Sequence, residues 1–487
     1  MVNKLNSKMV SGFKWMSFST ILKVILQFIF IAILARLIGP EAYGIQAISM
    51  LIISTFQAVS DGGIGKAIIH NRRLEKNQLS TLFYLSIIIG FLIFSFINIF
   101  SPYISIFFNV PELVKVLSVL SAVFLIRSFS VVAESVTIKE MNFKPLAIRN
   151  LLSYVIANLF VGIPAALYGL QVWSLVLIVL SNEILRTFLI LKMVSHSKSI
   201  YEFNLYGLQE IFRFGSGITL SSIFNKIAIN GDTLIIGKFV SVYVLGLYSR
   251  AYKIIRMPAN LFGNVISTTL FPALSSIQDE NERIRFIHYN LVLLIALIFL
   301  PISVFISMRA ELIINILFGK NWMDVAPILE ILSLGLYLRI GYKVNGEIIK
   351  AKGLVFNHAI IQMIYALVVL IGCYIGQFYG VNGISFGILF ALLINFFNMS
   401  YFGIKASKIK ISKIIKAHYY GILLSMSIFA SLSFLDYSYV YNTNTLFIKF
   451  LLSFFFLTAN ILIFLYYFHK KNDINFLLNI FNKKFRL

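Results

Sequence analysis

Charge is scarce in this sequence. Asp, Glu, Lys and Arg make up 13% of its 487 residues, while 59% are hydrophobic and the mean hydropathy is +0.88. A soluble protein of this length carries about 25% charged residues, so a water-soluble globular fold is excluded and a polytopic membrane protein is expected. Cysteine is nearly absent. Cys373 stands alone in an apolar run, which rules out an intramolecular disulfide and leaves the redox compartment unspecified. The six His are scattered without metal-ligand spacing. No Walker-type glycine loop is present, so the chain is not expected to drive itself with ATP. The stretch Gly383–Gly387 matches G-x-S-x-G, but it lies in an apolar run with no preceding strand and is a decoy. Nor is any connecting segment long enough for a soluble domain. The first apolar stretch, 12–38, is too long for a signal h-region and lacks an A-x-A-like cleavage site, so it is expected to be the first membrane helix.

What the sequence has in abundance is long apolar runs. Those of ~20 residues, enough to span a bilayer as helix, number about fourteen by this reading. The expected fold is therefore all-α and polytopic, with about fourteen transmembrane helices. Basic residues orient it. Most of the 42 Lys and Arg fall in the termini and even-numbered loops, whereas the outer loops and outer helix ends hold only Arg36, Lys115, Lys238, Arg309, Lys320 and Lys449. This positive-inside bias puts both termini in the cytoplasm. It also accounts for most of the net charge of +23, so no nucleic-acid partner is implied.

Three stretches recur at nearly constant offset. Ala35–Ile45 aligns with Gly237–Leu247, placing Gly44 on Gly246. Leu113–Ser121 aligns with Val325–Ser333, so that Arg127 falls on Arg339, and Leu167–Ser174 aligns with Phe378–Ser385. Duplication of a six-helix unit is expected. The chain divides into an N-lobe at 1–195, an amphipathic cytoplasmic linker at 196–213, a C-lobe at 214–405, and two further helices with a basic tail at 406–487.

Nine cations sit inside the apolar runs: Lys23, Arg127, Arg186, Lys226, Arg250, Lys253, Arg256, Arg339 and Lys343. At roughly 2.5–3.5 kcal/mol each for mid-bilayer charge, exposure of all nine to lipid would cost on the order of 25 kcal/mol. Glu134, Glu183, Asp232 and Glu347 accompany them. Glu183 and Arg186 are spaced to pair at i, i+3, and Arg339, Lys343 and Glu347 share a face at successive i, i+4 steps. Arg250, Lys253 and Arg256 form a stripe without an acid, which water or an anionic ligand must satisfy. Ion pairing between helices and snorkelling are the competing explanations. The candidate anion-binding residues are Arg127, Arg339, Arg250, Lys253, Arg256 and Lys343. Asp61, Asp232, Glu134 and Glu347 are candidates for proton or cation coupling, with helix capping or pairing as the alternative for Asp61 and Asp232. Pro258 and Pro301 mark possible bends.

Several motifs carry a family resemblance: ARLIGPEAYGI (Ala35–Ile45), SDGGIGKAII (Ser60–Ile69), FKPLAIRNLLS (Phe143–Ser153), RFGSGITLSS (Arg213–Ser222), GDTLIIGKFV (Gly231–Val240), LGLYSRAYKI (Leu245–Ile254) and LFPALSSIQDE (Leu270–Glu280). On these the chain resembles the Wzx-like polysaccharide-transport branch of the MOP exporter superfamily, colanic acid and teichuronic acid exporters in particular, over about residues 10–405. The resemblance implies two six-helix lobes flanking a central cavity, plus two added helices. It implies flipping of undecaprenyl-pyrophosphate-linked oligosaccharide to the outer leaflet of a bacterial plasma membrane. It further implies coupling to an H+ or Na+ gradient, no bound cofactor, and a polysaccharide polymerase and chain-length regulator as partners. Asp61 and Asp232 match family motif positions. Two alternatives stand beside this: a related exporter carrying the peptidoglycan lipid precursor, and a membrane glycan polymerase, disfavoured by the short outer loops. A cationic-drug exporter fits poorly with nine buried cations against four acids.

Overall fold

The structure, a computed structural model, describes residues 2–70, 76–193, 230–266, 270–438 and 445–470. Every regular element among them is helical, as expected of backbone whose polar groups must be satisfied within each segment in lipid. The expected linker at 196–213, Lys226 and the basic tail beyond residue 470 lie outside the described residues. The chain forms two compact units, Met1–Ser249 and Arg250–Leu487.

The first unit contains α1 (Val2–Leu37), α2 (Pro40–His70), α3 (Lys76–Phe108), α4 (Leu113–Leu120), α5 (Ala122–Ser128), α6 (Val131–Lys139), α7 (Phe143–Ile156), α8 (Ile163–Leu167), α9 (Val172–Met193) and α10 (Gly231–Phe239). α1 packs on α7, α2 on α6, and α3 along α4 and α5. The apolar run that begins at Leu113 is broken: α4–α5 and α6 meet at 49° around Phe129 and Ser130. Between α7 and α8 the backbone widens to a π turn over Ala157–Gly162. Pro164 lies just beyond it, and a wider turn relieves the clash of its ring with the preceding carbonyls.

α11 (Val242–Val265) starts in the first unit and enters the second. There follow α12 (Phe271–Ser276), α13 (Asn281–Met308), α14 (Ala310–Leu317), α15 (Ala326–Ala351), α16 (Val355–Gly376), α17 (Gly380–Ser407), α18 (Ile411–Tyr437) and α19 (Leu446–Lys470). α15 is the hub of this unit, buried along most of its length against α13 and α17. His288 on α13 ties the three together: its Nε2 is 3.0 Å from Asn345 Oδ1 on α15, and its Nδ1 is 3.0 Å from Ser407 Oγ on α17. α16 and α17 form a hairpin whose glycines face each other. A Cβ on Gly376 would lie 2.5 Å from the Gly383 carbonyl oxygen, and one on Gly372 2.9 Å from that of Gly387. α13 and α18 run parallel. Their far ends are pinned by Arg309, which bonds Asp436 Oδ2 at 3.1 Å, the Leu432 carbonyl at 3.0 Å and Ser453 Oγ of α19 at 2.9 Å.

Among the described residues, eight stretches are long and apolar enough to cross a membrane, or up to nine if the bent pair is one span. One of the eight, Phe356–Ser407, is the α16–α17 hairpin and so contains two antiparallel helices. The chain is a multi-pass membrane protein. The expected count of fourteen is not reached by this criterion, in part because α11 and α15 carry several charges each.

The repeat-related glycines share geometry. Gly44 and Gly246 pack at the crossing of α2 and α11, where a Cβ on Gly44 would overlap the Val242 carbonyl oxygen and one on Gly246 that of Pro40. Gly169 and Gly380 both adopt left-handed backbone, φ +76° and +69°, which favours glycine at a turn between helices.

Candidate functional site

The buried charges fall into two clusters of different character. In the first unit, Arg127 of α5 bonds Glu183 of α9 at 3.2 Å, and Arg186 reaches the same carboxylate at 3.3 Å. Glu134 of α6 accepts two bonds from Arg149 of α7, at 2.9 and 3.2 Å, and lies 3.9 Å from Arg186. Lys23 of α1 stands 5.1 Å from the centre of the Tyr154 ring. Carboxylates placed between guanidiniums satisfy one another's desolvation, which makes this network a structural tie across four helices. Arg127 is therefore paired. Arg149, which is not among the nine cations singled out from sequence, is only 1% exposed.

The second unit differs. Arg339 of α15 donates from a guanidinium nitrogen to Tyr252 Oη of α11 at 2.8 Å, and its guanidinium carbon lies 4.8 Å from the centre of the same ring. Arg256, one turn along α11, lies 5.3 Å from that ring. One phenol ring thus serves two guanidiniums, a cation–π arrangement. Tyr342 and Tyr365, with ring centres 6.2 Å apart, lie within electrostatic reach of Arg339. Lys343, one turn beyond Arg339, donates to the Ala259 carbonyl at 3.1 Å and feels the charge of both Arg339 and Arg256. Among the described residues, no carboxylate forms an ion pair with Arg256, Arg339 or Lys343. Phenols and a carbonyl satisfy hydrogen-bonding needs without cancelling charge, so the cluster keeps a net positive field suited to an anion.

The remaining candidates sit as follows. Glu347 does not pair with Lys343 but with Lys350, at 2.8 Å. Arg250 is buried and Lys253 half-buried on α11. Asp232, in the first turn of α10, accepts from Tyr248 Oη at 2.6 Å and from the Thr233 backbone at 2.6 Å. The side chain of Asp61 on α2 lies outside the described residues. The tyrosines were not singled out from sequence, although Tyr252 lies in LGLYSRAYKI and Arg256, just beyond that motif, stands at i, i+4 to it.

A family model described as "Polysaccharide biosynthesis protein" matches residues 33–327. The chain belongs to this family. The lipopolysaccharide biosynthesis protein WzxC of Escherichia coli K12 is 27% identical to it over 407 residues, 82% of this chain and 81% of that relative. The teichuronic acid biosynthesis protein TuaB of Bacillus subtilis strain 168 is 28% identical over 353 residues, 72% of each. Among solved structures, the lipid II flippase MurJ in an inward closed conformation aligns with TM-score 0.76 at 16% identity, covering 94% of this chain and 99% of MurJ. An inward-facing multidrug resistance MATE family transporter of the MOP superfamily aligns with TM-score 0.61, also at 16% identity, covering 80% and 98%. At such identities the likeness establishes the fold, which is of the MOP type.

Proposed function

We propose that this family member is a flippase: it moves an undecaprenyl-pyrophosphate-linked oligosaccharide from the cytoplasmic to the outer leaflet of a bacterial plasma membrane, for surface polysaccharide synthesis. It acts as a transporter, by alternating access, and makes or breaks no bond in its cargo. The observation that carries this reading is the trio of Arg339, Arg256 and Lys343 around Tyr252, a buried to half-buried positive cluster with no ion-paired carboxylate among the described residues. A pyrophosphate supplies the missing negative charge and accepts charge-assisted hydrogen bonds from such donors. Arg250 and Lys253, on the same helix as Arg256, extend the anion-binding set toward acidic sugars. WzxC and TuaB are named for biosynthesis of anionic surface polymers, which supports a cargo of this class.

Arg127 has a second part in this reading. Its pairing with Glu183 holds the first unit together, and exchange of that carboxylate for a cargo phosphate would make the contact part of transport. Gradient coupling falls to Asp232, whose carboxylate is held by Tyr248 and Thr233, with Asp61, Glu134 and Glu347 as further acids in the membrane segments.

Arg339→Ala is expected to abolish surface polysaccharide while the protein remains in the membrane at wild-type level. Normal polysaccharide in that strain would overturn the assignment. Depletion that instead stops cell-wall synthesis would identify the peptidoglycan lipid precursor as cargo.

A further inference from the structure

The near ends of α13 and α18, opposite the Arg309 pin, enclose an open pocket of about 470 Å³ that the flippase reading does not use. Lys410, Lys413 and Lys416 line it from the start of α18, and Arg285 from α13. The lysines recur at i, i+3 and i+6, within one face of the helix. Glu282 is the one acid among the pocket's described lining residues, and it is engaged by Arg285. The Nε of Arg285 is buried without a hydrogen-bond partner. α18 begins at Ile411, so the unbonded N–H groups of its first turn add partial positive charge at the same place. Four cations against one acid, with an unused guanidinium donor, specify a phosphate-type anion.

The wall of the pocket says where that phosphate comes from. Phe286 and Tyr289 line it beside the cations. Phe286 is 54% exposed, so the pocket opens beside an apolar ring. Cations and aromatic rings together at the ends of two membrane helices match the interfacial position of a lipid headgroup. The basic-loop pattern assigns this end of the helices to the cytoplasm, where anionic headgroups lie within reach.

We propose that the Lys410–Lys413–Lys416–Arg285 pocket binds the phosphate headgroup of an anionic bilayer phospholipid. This site belongs to the second unit alone and is independent of the cargo assignment. The test uses the full chain in detergent, titrated with dioleoyl-phosphatidylglycerol or dioleoyl-phosphatidylcholine and read by native mass spectrometry. Wild type is expected to retain phosphatidylglycerol preferentially. The triple variant Lys410→Gln, Lys413→Gln, Lys416→Gln should weaken its binding on the order of a hundredfold, since each surface cation contributes a similar increment. The corresponding triple Arg variant should keep it. The lysines are exposed, and a monodisperse elution profile verifies that each variant folds. Equal retention of phosphatidylglycerol by the triple Gln variant overturns the proposal. So does displacement of the lipid by millimolar inorganic phosphate, which would mark a free-phosphate site, and so does equal binding of the two lipids.

Discussion

Glu134 and Tyr252 each support guanidiniums inside the membrane segments, and losing one is expected to differ in kind from losing the other. Glu134→Ala leaves Arg149, 1% exposed, with an uncompensated charge. Breaking a buried pair from one side costs about 3–5 kcal/mol, so the variant should unfold at markedly lower temperature in detergent, as followed by fluorescence-detected size exclusion. Removing Arg149 and Glu134 together, with apolar replacements of similar volume, should recover much of that loss. Tyr252→Phe removes a hydroxyl that bonds Arg339 but retains the ring shared with Arg256. It should leave thermal stability close to wild type and lower polysaccharide export. Tyr252→Ala, which removes the ring as well, should lower export further. Sequence reading found the cations of both clusters except Arg149, together with the Glu183–Arg186 pair, but not the tyrosines that hold the second cluster. Helical spacing relates residues on one helix, whereas Tyr252 and Arg339 come from different helices 87 positions apart.

At the scale of elements, glycine contacts set how closely helices approach. Gly376→Ala puts a methyl group 2.5 Å from the Gly383 carbonyl oxygen, and neither backbone has a flexible side chain to move aside. The α16–α17 hairpin must open, at about 1–3 kcal/mol, and a lowered melting temperature in detergent checks this. Arg309→Ala should loosen α18 and α19 from α13, since one guanidinium bonds all three. Faster amide hydrogen exchange confined to those helices is the expected result. Helix existence was legible from apolar runs, and so were the aligned glycines, because a close backbone crossing at Gly44 and Gly246 and a positive φ at Gly169 and Gly380 each favour that residue. The break between α5 and α6 was not. No Gly or Pro marks it; Ser128 and Ser130 return their hydroxyls to the carbonyls of Leu125 and Arg127, an option any serine in a helix has.

For the molecule as a whole, the composition identified a membrane protein and the long apolar runs identified its spans as helical, since ~20 consecutive apolar residues cross a bilayer as helix. The number of spans was less legible. Helices that carry several charges, such as α11 with Arg250, Lys253 and Arg256, look less apolar than those without them. At this scale the expected result is that collapsing the proton gradient, the sodium gradient or both slows export, and Asp232→Asn removes sensitivity to the coupling ion.

The uncancelled charge around Arg339 also bears on voltage. A bacterial membrane is negative inside, so an anion leaving the cytoplasm moves down the electrical gradient, gaining about 2.3 kcal/mol per elementary charge per 100 mV. A bare pyrophosphate would collect that energy in full. In the proposed clasp of Arg256, Arg339 and Lys343 its charge would be neutralised, and the energy would be recovered only if these cations stay behind when the cargo leaves. Export measured in vesicles at set membrane potentials should then depend on voltage in its release phase and be insensitive to it while the headgroup is held.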